Sequence, residues 1–301
     1  MSAYFDQKNS QFLIPEIKEN GNHVVMTNVY KPPKKKLINI DTKFQEEYND
    51  SSYATFTYNL PQKINDVKSI NVPYMEVPYS FYNFSEQKGN VSFIITDDAN
   101  NDEYVITLPS TNYESIGDLI SDVDNIIPST ITNNISITLD GYKTKISVTS
   151  GSYTFHWNVG TDYDKTNFKS RLGWYLGFRE PSYSFVGAGE VTSESIVNIN
   201  TTNYVFLVVD EFSQNHPNSF ISPLSDSFIN KSILARMQIE NTNTFGKTIT
   251  GGCLINLISD KRVYSSKTDI YKLKIQLVDE WGKVLDLNKL DFSVVLEIEY
   301  E

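Results

Sequence analysis

Apolar residues alternate with polar ones along most of this chain, the pattern of strands that set one face against a core. Such stretches run at 37–40 (LINI), 53–60 (YATFTYNL), 67–77 (VKSINVPYMEV), 91–96 (VSFIIT), 103–108 (EYVITL), 135–139 (ISITL), 143–148 (KTKISV) and 153–157 (YTFHW). They resume at 195–199 (SIVNI), 204–210 (YVFLVVD), 233–240 (ILARMQIE), 269–278 (DIYKLKIQLV) and 292–300 (FSVVLEIEY). Asp140-Gly141 predicts a hairpin turn between two of them, and the run DDANNDE at 97–103 predicts another, since Asp and Asn favour turns. The last two strands are joined by a polar turn at Asp279, Glu280 and Gly282.

One segment breaks the alternation. Ile116, Leu119, Ile120, Val123 and Ile127 fall at helical spacing, with Thr111 and Glu114 in capping-box register and Pro128 as a stop, predicting a short helix near 113–127. Many short strands and a single helix describe an all-β protein. The leading architecture is an antiparallel jelly-roll sandwich with elaborated loops.

The stretch RLGWYLGFRE at 171–180 also alternates, with Leu172, Trp174, Leu176 and Phe178 on one side, and reads as a half-buried strand. Glycines weaken strands, so Gly173 and Gly177 need a reason. A bend or the close approach of another backbone supplies one, with Trp174 and Phe178 filling the core beside them.

Charge divides the chain. Net charge is −11, yet residues 1–36 hold six lysines against three acids and carry +3, leaving −14 on the remainder. Pro32 and Pro33, followed by Lys34, Lys35 and Lys36, mark a boundary near residue 36. This predicts an N-terminal arm at 1–36, partly extended and basic at 31–36, ahead of a jelly-roll domain at 37–301. The apolar islands FLIPEI and HVVMTNVY suit an arm that becomes ordered on a neighbour, and the basic run reads as a solvated linker. The acidic body argues against direct nucleic-acid binding, which needs clustered Lys and Arg. A lone cysteine, Cys253, fits a reducing compartment. The expectation is a chain without a secretory signal or membrane insertion, since no apolar run approaches the ~18 residues of a membrane helix.

Candidate chemistry is sparse. His23, His156 and His216 lie far apart without metal-ligand spacing, and no phosphate-binding glycine loop or nucleophile elbow occurs. DDANNDE and DYDK (162–165) are acidic but lack the register of a calcium loop. Glu297 and Glu299 share one strand face roughly 7 Å apart, a separation glycosidases use, but Val294, Leu296 and Ile298 opposite them make the solvent face of a strand the better reading. The expectation is therefore no enzyme, no catalytic residue, no cofactor and no metal.

The order of the segments carries a resemblance. LINIDTKFQEEY, SYATFTYNLPQKINDVKSINVPYMEVPYSFYNF and VSFIITDDANNDEYVITLPSTNYESIGDLISDV, then LGWYLGF, NYVFLVVDEFSQN and YKLKIQLVDEWGKVLDLNKLDFSVVLEIEY, resemble the penton proteins of large nucleocytoplasmic DNA viruses. Those are single jelly-roll capsid subunits that form pentamers at icosahedral vertices. The resemblance spans about 37–301 and implies a homopentamer in a virion, assembled in host cytoplasm, touching major and minor capsid proteins. Gly173, Trp174, Gly177, Phe178 and the lysines 34–36 become its structural and assembly candidates. Two alternatives stay open: a minor capsid protein bridging capsomers beneath the shell, and a carbohydrate-binding module for host attachment.

Overall fold

The computed structural model describes residues 32–45, 54–158, 165–212, 220–224, 227–229, 231–240, 244–253 and 255–301, with the backbone of two short ladder strands, Tyr4–Phe5 (β1) and Gln11–Phe12 (β2). His23, His216, Asp162, Asp164 and most of the predicted arm lie outside the described residues.

The main body is built from β3 (Lys34–Asp41), β4 (Thr55–Pro78), β12 (Tyr204–Asp210), β13 (Ile233–Gln238), β14 (Thr248–Cys253), β15 (Asn256–Ser259), β16 (Arg262–Val278) and β17 (Ser293–Tyr300). Its centre is β4, a strand of 24 residues. The first half of β4 pairs with β16, which pairs with β12, which pairs with β13. The second half pairs with β17 on one edge and β14 on the other, and β3 pairs beyond β17. Two four-stranded antiparallel layers result, β3-β17-β4-β14 and β4-β16-β12-β13, the strand order of a jelly roll in which one long strand serves both layers. The short β15 joins β13 to β14 and closes the ring.

The alternating segments at 53–60 and 67–77, with the residues between them, are thus one strand. Pro61 and Pro73 cannot donate to a ladder, and register shifts lie opposite both, between Ile270 and Lys272 and between Val295 and Glu297. Asp66 takes φ +53° where a third shift falls, and its N–H donates to Asp269 Oδ1 at 3.1 Å. These irregularities are bulges that bend a continuous strand from one layer into the other. Alternation then fills the space between the layers: Val67, Ile70, Met75 and Val77 of β4 meet Val205, Leu207 and Val209, and Val294, Leu296 and Ile298, all fully buried.

Between β4 and β12 the chain builds a second core. The elaboration expected as loops is a body comprising β5 (Ser92–Asp97), β6 (Asp102–Thr107), α1 (Ile116–Asn125), β7 (Ile135–Asp140), β8 (Lys143–Val148), β9 (Ser152–His156), α2 (Leu172–Tyr175), β10 (Ser182–Val186) and β11 (Gly189–Thr192). Sheets β10-β9-β5-β6 and β11-β8-β7 enclose Phe93, Ile95, Phe155, Trp157 and Ile146 with Leu119 and Val123 of α1. Both predicted hairpins are present, β5–β6 and β7–β8, the latter turning at Gly141 with φ +62°.

Helix α1 starts later than its predicted cap. Ser115, not Thr111, is the N-cap: its Oγ accepts from Asp118 N at 3.1 Å and donates to Asp118 Oδ2 at 2.8 Å. Asp124 Oδ1 then accepts from Ile137 N at 2.6 Å, fastening the far end of the helix to β7. Ser115→Ala will cost the inserted body about 1 kcal/mol, read as a lower denaturant midpoint in far-UV circular dichroism.

Candidate functional site

The four residues singled out in LGWYLGF do not lie on a strand. Residues 172–175 form α2, and the segment at 195–199 is likewise irregular rather than extended. The helix ends in a Schellman motif: Phe178 N donates to Gly173 O at 2.9 Å and Gly177 N to Trp174 O at 3.1 Å, with Gly177 at φ +98°. Gly177 also gives room, since a Cβ there would fall 2.2 Å from the carbonyl oxygen of Ser195, whose N–H donates to Gly177 O at 2.9 Å. Gly173 lies against an indole, where a Cβ would come within 2.3 Å of Trp157 Cβ. The close approach inferred from sequence is real, but it serves a helix.

Trp157, rather than Trp174, fills this core. It is fully buried, stacks on Phe178 with centroids 4.7 Å apart, and meets Phe93 at 5.0 Å. Trp174 is half-buried and lies under the guanidinium of Arg179, 3.9 Å from the ring centroid. Gly173, Gly177 and Phe178 are therefore interior packing positions of the inserted body, and Trp174 is its surface cover. Leu172, Tyr175 and Leu176, buried at helical spacing and followed by Gly177, were the signal for this helix.

Lys34, Lys35 and Lys36 are strand residues of β3, not a linker. Lys35 Nζ lies 3.0 Å from Glu297 Oε1 and 3.6 Å from Glu299 Oε1, while Lys34 and Lys36 sit 5.9 and 6.0 Å from the Tyr300 ring centroid. Glu299 also pairs with Lys261 and accepts from Ser69 Oγ at 3.0 Å. The Lys261 bond, with those of its other partners, holds the Glu299 carboxyl below the ordinary carboxylate range. Both glutamates are thus engaged on the outer face of the β3–β17–β4 layer, as the alternation predicts. Among the described residues no strand pairs with the other edge of β3. Lys34, Lys35, Leu37 and Asn39 are exposed there, and Ile38 and Tyr300 are partly covered.

A polar junction joins the two bodies. Lys88 Nζ donates to Thr202 Oγ1 at 2.7 Å and Thr201 Oγ1 at 3.4 Å, and Lys283 Nζ donates to Lys88 O at 3.0 Å. Asp279 Oδ1 accepts from Trp281 N at 2.9 Å and Lys283 N at 2.8 Å, fixing the turn that faces Lys88. Burial pushes the Lys88 amine down to about 8, against the pull of Asp279 and Glu280. The folded chain therefore releases this proton while the unfolded chain still holds it, so stability from Lys88 rises as pH climbs from about 8 toward 10.5. Denaturation midpoints at about pH 7 and about pH 9.5 will show this rise in the wild-type chain, and Lys88→Met will reduce it, leaving the smaller share of Lys231, whose amine burial also pushes down.

The hollow at this junction, lined by Lys88, Tyr175, Thr202, Asp279 and Trp281 among others, encloses about 10 Å³, room for at most about one water. His156 is a strand residue at the end of β9, and no group of three His, Cys, Asp or Glu side chains among the described residues is placed to hold a metal ion. No helix among the described residues is long and apolar enough to cross a membrane.

No protein-family model and no curated protein matches the chain. Solved structures similar to it include the following two. The crystal structure of the mavirus penton protein shares 9% identity, with 89% of this chain and 100% of that one covered and a TM-score of 0.42. The cryo-EM structure of the Sputnik virophage shares 13% identity over 90% of this chain and 98% of that one, with a TM-score of 0.39. At such scores the fold assignment rests on the strand pairing itself.

Proposed function

We propose that this chain is a non-enzymatic structural protein of a virion, a jelly-roll capsid subunit, and within that class the vertex penton. Its activity is assembly into a homopentamer that contacts major and minor capsid proteins at the capsid vertex, in particles built in the host cytoplasm. The observation that carries the reading is the pair of antiparallel layers sharing β4, reached from a sequence whose segment order resembles pentons along 37–301. The engagement of Glu297 and Glu299 with Lys35 and Lys261 supports a scaffold over a hydrolase. In this reading Gly173, Trp174, Gly177 and Phe178 act by keeping the inserted body rigid, and Lys34–Lys36 lie on the assembling surface.

A ring of five needs a heterologous contact, one flank of each subunit against the opposite flank of the next. Light scattering after size exclusion tests the reading. A stable species of five chains supports it; a monomer or dimer at all concentrations overturns the penton assignment and favours a bridging minor capsid protein.

A further inference from the structure

We infer that the open edge of β3 is completed by residues 23–30, HVVMTNVY, of a second copy of this chain, added as an extra strand to the β3–β17–β4–β14 layer. The inference rests on the assembly reading above and names its contact.

The jelly-roll sheet is closed almost everywhere. β14 pairs back onto β4, and β15 and β13 complete the ring, while β3 ends the β3–β17–β4–β14 layer with an edge that no strand among the described residues pairs with. This edge is eight residues long and half finished. Ile38 is only partly covered, Leu37 is 65% exposed, and Tyr300 on β17 is only partly covered beneath Lys34 and Lys36. A further strand laid on β3 would extend the layer over Ile38 and occupy the unpaired backbone groups.

The sequence carries a segment of matching length and β-forming composition just upstream. Residues 23–30 number eight, and Val24, Val25, Thr27, Val29 and Tyr30 all favour extended backbone. Only Lys31, Pro32 and Pro33 separate this segment from β3.

That linker disfavours a tight hairpin back onto its own strand. A tight hairpin needs positive φ in its turn, whereas each proline holds φ near −65° and Pro33 pushes Pro32 out of the helical region. Pro32 and Pro33 are accordingly neither turn nor strand. The segment is therefore assigned to the β3 edge of a neighbour. The lysines at 34–36 discourage stray strands from this edge, and a segment tethered to a subunit already docked overcomes that barrier through its high effective concentration.

The test uses the full chain. Isotopically light and heavy copies are mixed before assembly, lysines are cross-linked, and linked peptides are sequenced. Links from Lys18 or Lys31 to Lys36 or Lys43 are expected as light–heavy pairs. Their absence, or only same-isotope pairs, overturns the inference. In parallel, Val25→Pro with Val29→Pro removes two ladder donors and is expected to raise the half-association concentration at least about tenfold, with the unfolding temperature of both cores unchanged. Association unaffected by the prolines overturns strand addition but leaves the pentamer standing. A wild-type chain that never associates overturns both.

Discussion

Gly177→Ala will unfold the inserted body at temperatures where the jelly roll remains folded. An L-residue at φ +98° costs about 1–2 kcal/mol, and forcing a methyl to 2.2 Å from the Ser195 carbonyl oxygen adds about 1–3 kcal/mol of displacement. The sum, about 2–5 kcal/mol, is a large part of what holds a body of this size together. Gly173→Ala acts by a different route, driving a methyl into Trp157 and disturbing the stack on Phe178 and Phe93. Because Trp157 is buried in the inserted core, near-UV circular dichroism reports that core. Both variants should lose its signal early while the amide protection of β4, β16 and β17 persists. A single cooperative transition at an unchanged temperature would refute the assignment of these glycines to close packing.

Arg262→Ala will damage the other core by a comparable amount. The guanidinium is fully buried, with Nη1 2.7 Å from Glu211 Oε2 and 2.8 Å from Val209 O, and Nη2 3.0 Å from Ser232 O. It ties the start of β16 to the ends of β12 and β13. Truncating it leaves a carboxylate in the interior without its guanidinium and strips carbonyls of their donor, a loss of about 3–5 kcal/mol. The double variant Arg262→Met with Glu211→Met should recover much of this, since apolar replacement of a buried pair is often neutral. Equilibrium denaturation of the two variants measures the difference. Equal stability of the single variant and the wild type would mean that water reaches the pair.

What the sequence disclosed follows from which interactions are local. Alternation marked most strands because each side chain's face depends on its immediate neighbours, and Asp140-Gly141 fixed a hairpin without outside help. The junction of the two halves of β4 was hidden, since Pro61 has the chemistry of a turn, and only a partner some two hundred residues away converts it to a bulge. LGWYLGF deceived for a related reason. Its apolar residues satisfy periods of two and of about 3.6 at once, and the deciding partner, Trp157, is brought against Gly173 by the inserted fold. The pairing of Glu299 with Lys261 and Ser69 was equally beyond reach, although the outward face of Glu297 and Glu299 was not. The division into two cores left no compositional mark, because both are made of the same alternating strands.

Thr201 Oγ1 donates to Asn83 O at 2.5 Å, so the chain leaves the jelly roll and returns to it at nearly the same point. The inserted body therefore behaves as a cassette. Its removal or exchange asks the host sheets only to bridge a gap of one hydrogen bond, and closure entropy grows slowly with whatever length is spliced in. A different appendage can thus be grafted at this point while the two jelly-roll layers stay as they are.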